Sequence, residues 1–260
     1  KDEFLQHHDH LKSYMFRITT NWQDAEDLVQ DTYLRAEKSL STYLGKSSLK
    51  TWMFTIATNL AKDKFRSRQR WGNDIQDRCK ESTEASPDRV AHMYQIVNEM
   101  DVSKYEFKEH IDYCFTCIGK TLEIEQQLAL ILKDIYEFKV TEIMQILNQT
   151  EGQVKYLLSE ARKLMIEIFD NRCALVNKKG ICHECSEMNH FINPKQEARQ
   201  KELELKLVKE AKMGRSKKEL FRLRTELVKH IDPLNSEGSK MHAYLLSLMP
   251  EHALPTDSTN

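Results

Sequence analysis

Glycine and proline are scarce in this 260-residue sequence, with 7 and 5 copies, and no stretch alternates apolar with polar residues over any length. β-sandwiches and barrels need frequent turns and period-two strands, so the composition points to an all-α chain. Long apolar runs are missing too. None approaches the roughly 18 residues of a membrane-crossing helix, and no apolar leader is read at the start. Strand patterns for a thioredoxin-like unit are also absent, which argues against a thiol oxidoreductase. No catalytic residues are expected, and the chain is read as no enzyme.

What is present is charge, and it is segregated. The formal net charge is −1, yet Lys46, Lys50, Lys62, Lys64, Arg66, Arg68 and Arg70 face a single acid, Asp63, between residues 46 and 70. Ahead of them lies a helical pattern from Asp24 to Ala36. Ala25, Leu28, Val29, Thr32 and Ala36 form one stripe at three- and four-residue spacing, and Asp24, Asp27, Asp31 and Arg35 line the opposite face. The helix from Leu49 to about Arg70 carries an apolar face of Leu49, Trp52, Met53, Ile56 and Leu60. Thr51, Thr55, Asn59, Lys62 and Arg66 lie on its polar side, and Ser48 is placed to cap it. An acidic helix followed by a basic one suits a chain that grips a protein with the first and nucleic acid with the second.

Residues 72–89 are polar and aperiodic and read as a linker, with a helix from Val90 to Met100. Farther on, Thr141 to Arg162 reads as a helix-turn-helix or, equally, as an ordinary helical hairpin. Thr141 is placed as the cap of the first helix. Asn148 falls where the turn needs a left-handed residue, and Thr150 with Gln153 forms a capping box opening the second helix.

Two motif groups, taken together, resemble the extracytoplasmic-function class of bacterial RNA polymerase sigma factors. The first is Asp24-Ala-Glu-Asp-Leu-Val-Gln-Asp-Thr32 followed by the run from Ser48 to Asp63. The second is Leu122 to Gln127, Thr141-Glu-Ile143, Val154-Lys155 and Ala161-Arg-Lys-Leu164. The resemblance spans residues 1–170. It implies two small helical domains joined by a flexible linker: a region-two bundle over 1–71, the linker over 72–104, and a region-four helix-turn-helix domain over 105–170. A Cys-rich segment over 171–194 and a helical C-terminal extension over 195–260 follow. The implied partners are core RNA polymerase and promoter DNA, with an anti-sigma factor or a DNA-targeting recruiter as further candidates, and the implied compartment is the bacterial cytoplasm.

Carried onto matching positions, the resemblance assigns Asp24, Asp27, Leu28, Gln30 and Asp31 to polymerase docking. Lys46, Lys50, Trp52, Thr55 and Asn59 are assigned to reading and melting the −10 element, with Lys62, Lys64, Arg66 and Arg68 on nearby phosphates. The helix through Thr150, Gln153, Lys155, Tyr156, Ser159, Arg162 and Lys163 would enter the major groove at the −35 element. Its cations are opposed by Glu151 and Glu160, so a second DNA-bound factor is expected to share promoter choice. The other functional reading is a free-standing helix-turn-helix regulator that senses metal or redox state through its cysteines.

Those cysteines number six. Outside a secreted chain they point to metal or redox chemistry and away from a disulfide framework. Cys114-x-x-Cys117 and Cys182-x-x-Cys185 together fit a tetrahedral zinc knuckle. A set of Cys173, Cys182, Cys185 and His183 or His190 is the alternative, and an iron–sulfur cluster is a less favoured occupant. In the C-terminal extension, Ser216 and Glu219 cap a helix whose Leu220, Leu223, Leu227 and Ile231 form one stripe, either packed on the same chain or offered to a partner.

Overall fold

The computed structural model describes residues 6–65, 71–72, 74, 78, 81–82, 84–99, 107–172 and 214–235, together with 240, 244 and 247. Among them every regular element is helical, in line with the composition. The helices are α1 (His8–Thr19), α2 (Trp22–Ser39), α3 (Leu49–Phe65), α4 (Pro87–Glu99), α5 (Phe107–Gly119), α6 (Ile124–Leu130), α7 (Val140–Leu147), α8 (Glu151–Arg172) and α9 (Lys217–Lys229). None is long and apolar enough to cross a membrane.

The chain divides into two compact units, residues 1–70 with 119–162, and residues 71–118 with 163–260. In the first, α1, α2 and α3 pack on one another. The buried residues of α2 are Ala25, Leu28, Val29, Thr32 and Ala36, the stripe its periodicity predicts. Asn21 starts that helix by accepting the Asp24 backbone N–H at 2.9 Å. Ser48 caps α3 as expected, accepting from the Thr51 N–H at 3.1 Å.

The buried face of α3 is turned from the expected one. Thr51, Met53, Phe54, Ala57, Thr58, Leu60, Ala61 and Phe65 are buried, whereas Leu49, Trp52 and Ile56 are only half-buried. The reason is a second neighbour: α6 and α7 pack on the side of α3 that carries Thr51, Phe54 and Thr58. Phe54 and Phe138 meet there with ring centroids 4.8 Å apart. Tyr14 stacks on Phe54 at 5.0 Å and hydrogen-bonds Thr58 at 2.9 Å. Burial pushes the Tyr14 phenol far above its ordinary pKa, so it stays neutral. Gln127, fully buried, donates to the Arg17 carbonyl, and Lys120 donates to that of Ile18.

The helix-turn-helix follows its local signals. After α6 a π-helical turn covers Ile131–Ile135. Asn148 ends α7 in the left-handed region, at φ 53° and ψ 51°. Thr150 and Gln153 exchange capping bonds: the Thr150 N–H donates to Gln153 Oε1 at 2.9 Å, and the Gln153 N–H to Thr150 Oγ1 at 3.3 Å. One local expectation fails. Thr141 lies inside α7, which starts at Val140, and Glu142 ties the start by accepting from the Lys139 N–H at 2.8 Å.

In the second unit, Pro87 opens α4 three residues before the expected start, where its missing N–H costs nothing. Helix α9 begins with the predicted box, Ser216 N–H to Glu219 Oε2 at 2.7 Å and Glu219 N–H to Ser216 Oγ at 3.3 Å. Its inward face is rotated from the leucine stripe. Leu220, Phe221, Arg224, Thr225 and Val228 are buried, while Leu227 is exposed. Phe221 sits 6.4 Å from both Phe115 of α5 and Phe169 of α8, so this helix packs on its own chain. The predicted helix over 195–213 lies outside the described residues.

Candidate nucleic-acid interface

On α2 the polar face opposite the buried stripe presents Asp27, Gln30 and Asp31 to solvent, with Asp27 accepting from Gln23 Nε2 at 2.8 Å. Two residues assigned to docking lie elsewhere. Leu28 is 5% exposed, because it belongs to the apolar stripe and fills the core between α2 and its neighbours. Asp24 is half-buried and takes the Lys64 ammonium of α3 at 2.6 Å, so a docking candidate and a phosphate candidate are spent on each other.

Sequence reasoning missed the apolar companions of this acidic face. Leu34 is 54% exposed, Leu40 47% and Leu44 75%. The signal was there in weak form: leucines at 34, 40 and 44 fall off the buried spacing of α2 and run into a polar loop.

That loop, Tyr43 to Ser48, turns at Gly45, whose φ of +66° is a left-handed value that favours glycine. It presents Lys46 to solvent. Tyr43 anchors it by donating to the Ser47 carbonyl and by lying 4.8 Å from the Trp52 ring. Trp52, Thr55 and Asn59 then follow along one flank of α3, the first two half-buried and the third exposed.

The other flank of α3 is engaged. Lys50 stands 4.6 Å above the Phe138 ring, a cation–π contact. Thr51 donates to Glu142 at 3.0 Å, and the Lys62 ammonium donates to Glu125 at 2.6 Å. Arg66 and Arg68 lie outside the described residues.

The face of α8 is poorer in available cations than its sequence suggests. Lys155 pairs with Glu151 one turn earlier at 2.6 Å, and the lysine holds that carboxyl below its ordinary pKa. Arg162 is clamped by both Asp134 oxygens, at 2.9 and 2.5 Å, which raises its already high pKa. Thr150 and Gln153 are occupied with each other, while Tyr156, Ser159 and Lys163 are exposed. Tyr156, at 65% exposure, and Leu164 are the exposed large hydrophobic residues described on this helix.

Of the cysteines, Cys114 and Cys117 are both buried in α5, one helical turn apart. Cys173, Cys182, Cys185, His183 and His190 lie outside the described residues, as does Cys79.

Comparison with known proteins agrees with the motif reading. Residues 4–71 match the model of sigma-70 region 2. The chain is 29% identical over 161 residues to the ECF RNA polymerase sigma factor SigG of Mycobacterium tuberculosis, covering 58% of this chain and 44% of that protein. It is 28% identical over 160 residues to ECF sigma factor SigX of Bacillus subtilis, covering 57% of this chain and 72% of SigX. With the B. subtilis sigma factor YlaC it shares 25% over 162 residues, 62% of this chain and 87% of YlaC. The match thus spans less than half the length of SigG. Among solved structures, sigma factor RpoE from its complex with the anti-sigma factor NepR of Bartonella quintana aligns at a TM-score of 0.45 and 23% identity, over 65% of this chain and 96% of RpoE. Residues 4–71 thus match sigma-70 region 2, and over a longer stretch the chain is similar to extracytoplasmic-function sigma factors.

Proposed function

We propose that this protein is a transcription initiation factor that binds core RNA polymerase through the exposed face of α2 and opens promoter DNA at the −10 element through the loop before α3 and the Trp52–Asn59 flank. It makes and breaks no covalent bonds. The observation that carries the reading is a juxtaposition: a solvent-facing acidic surface with an exposed Leu34 on α2, a helix that packs directly against a basic helix led by an aromatic pair. Holding a melted strand needs cations along the backbone and a flat surface for an unstacked base. Lys46 with the Tyr43–Trp52 pair supplies both, and Leu44 has the position of an apolar wedge. The names of the relatives, all RNA polymerase sigma factors, support the same reading.

The test is strand opening. With core polymerase and a responsive promoter, permanganate should reveal unpaired thymines in the −10 region. A Leu44→Ala, Trp52→Ala variant should lower their reactivity about tenfold with polymerase binding intact. Absence of any polymerase-dependent opening contradicts the proposal.

Promoter choice is shared, on this reading, with another DNA-bound factor, because Lys155 and Arg162 are both held by acids of their own chain. Tight, sequence-specific initiation by polymerase and this protein alone would contradict that part.

Zinc is part of the same proposal. Two buried thiols one turn apart on α5 fit half of a tetrahedral thiolate set, which Cys182 and Cys185 would complete. Bound there, the metal would serve as a redox-inert structural link. Purified protein should carry zinc by elemental mass spectrometry, and Cys182→Ser with Cys185→Ser should remove it. Metal-free protein with all four thiols reactive would refute this.

A further inference from the structure

The unit made of residues 71–118 and 163–260 holds a buried cation that its helices leave unmatched. Arg224 of α9 is 4% exposed, and its Nη2 is fully buried with no hydrogen-bond partner. Phe169 of α8 lies under it, with the ring centre 4.8 Å from the guanidinium carbon. Phe221, one turn earlier on α9, lies 6.4 Å from Phe169 and from Phe115 of α5. The acids of these helices are engaged elsewhere or face solvent. On α9, Glu219 accepts from the Ser216 N–H and Glu226 takes Lys229. On α8, Asp170 takes Lys217 and Glu167 is exposed. The buried Glu109 and Asp112 of α5 have partners of their own. A guanidinium keeps its charge at every pH at which the protein is folded. Buried charge is stable only when it is paired or fully hydrogen-bonded. The Phe169 face offsets part of that cost and leaves the Nη2 hydrogens unmet.

We propose that Arg224 anchors a small-molecule site in this unit, and that its ligand is a monocarboxylate with an apolar body. A guanidinium edge offers parallel N–H donors in the geometry a carboxylate accepts. The Phe115, Phe169 and Phe221 rings supply apolar surface for the rest of the molecule. A phosphate, at about −1.5 to −2, needs further cations, and Lys217 is already taken by Asp170. An acidic side chain on a partner's surface does not reach a group so covered, whereas a small molecule is enclosed when the helices open locally and reclose. The site is independent of polymerase binding and gives this unit a ligand to sense.

The experiment uses the intact chain with benzoate as the probe, benzamide as its uncharged isostere and inorganic phosphate as the competing anion, all at constant ionic strength. The unfolding temperature should rise by about 5 °C when benzoate reaches roughly a hundredfold excess over its Kd, and stay unchanged with the other two. Arg224→Met keeps an unbranched side chain and removes the charge. Without ligand this variant should unfold no lower than the wild type, and it should lose the benzoate shift entirely. Isothermal titration of the wild type, which needs no variant, should show benzoate saturating a single site and benzamide not binding. A lower unfolding temperature for ligand-free Arg224→Met overturns the proposal, because the guanidinium would then be matched within its own chain. So does a benzoate shift that survives in the variant or is equalled by benzamide. A phosphate shift as large as that of benzoate overturns the carboxylate class, and no binding of benzoate by the wild type overturns the site.

Discussion

Asn148 shows how much a single residue can specify. Its left-handed backbone makes the turn between α7 and α8, and its side chain is exposed, so backbone conformation is what the position selects. Asn148→Ala should cost about 1 kcal/mol because alanine lacks the local polar side chain that lets asparagine tolerate that region, while Asn148→Gly should be near neutral. Urea titration of the two variants checks this; equal stability would mean the turn relaxes. The turn was legible in the sequence because Asn is among the few residues that accept this conformation, and the Thr150–Gln153 box, which opens two residues on, fixed the register. The pairing of Lys155 with Glu151 was also local enough to foresee. That of Arg162 with Asp134 was not, because they are 28 positions apart and Asp134 sits in a π-helical turn. Leu28 gives the sharpest lesson at this scale. Its place in the Ala25–Ala36 stripe puts it inside, where it is buried, while the motif resemblance also assigns it to docking.

Helices start where their caps say and face where their neighbours decide. Ser48, Thr150 and Ser216 each cap as read, since the interaction spans three residues and needs no tertiary context. Faces were less legible. The apolar pattern of α3 pointed to Leu49, Trp52 and Ile56, and that of α9 to Leu227, but packing of α6 and α7 on α3, and of Phe115 and Phe169 on α9, turned each face to a different set. One cap also has a pH signature. The Ser216 backbone N–H holds the Glu219 carboxyl below its ordinary value of 4.5. A folded-state pKa below the unfolded one contributes stability that is complete above about 4.5 and is lost as pH falls through the folded value. Glu219→Gln should therefore flatten the acid limb of the stability curve and leave pH 7 to 8 with no pH dependence from this group. Thermal unfolding across pH 3 to 8 tests it, and an unchanged acid limb would show that the box contributes nothing.

Across the whole molecule, the consequential feature is the join between residues 1–70 and 119–162 in one compact unit. Its contacts link residues 63 to 123 positions apart only through folding: Lys62 to Glu125, Thr51 to Glu142, Ser13 to Tyr136. Periodicity describes one helix at a time and carries no information on such pairs. The aromatic cluster of Tyr14, Phe54, Tyr136 and Phe138 makes the join a core, and Phe138→Ala should destabilise this unit by about 3–5 kcal/mol. Hydrogen exchange of α3 amides, compared in wild type and variant, reads that loss directly; unaltered protection would mean the two segments are stable apart. The same architecture leaves the acidic α2 face outside, and on it rests the claim that the protein is a polymerase-binding initiation factor. The most direct measurement is co-purification of the intact chain with bacterial core RNA polymerase, set against an Asp27→Arg, Asp31→Arg variant. Stoichiometric binding by the wild type and its loss in the variant is the predicted result. Retention of the charge-reversed variant, or no binding by the wild type, would contradict the account.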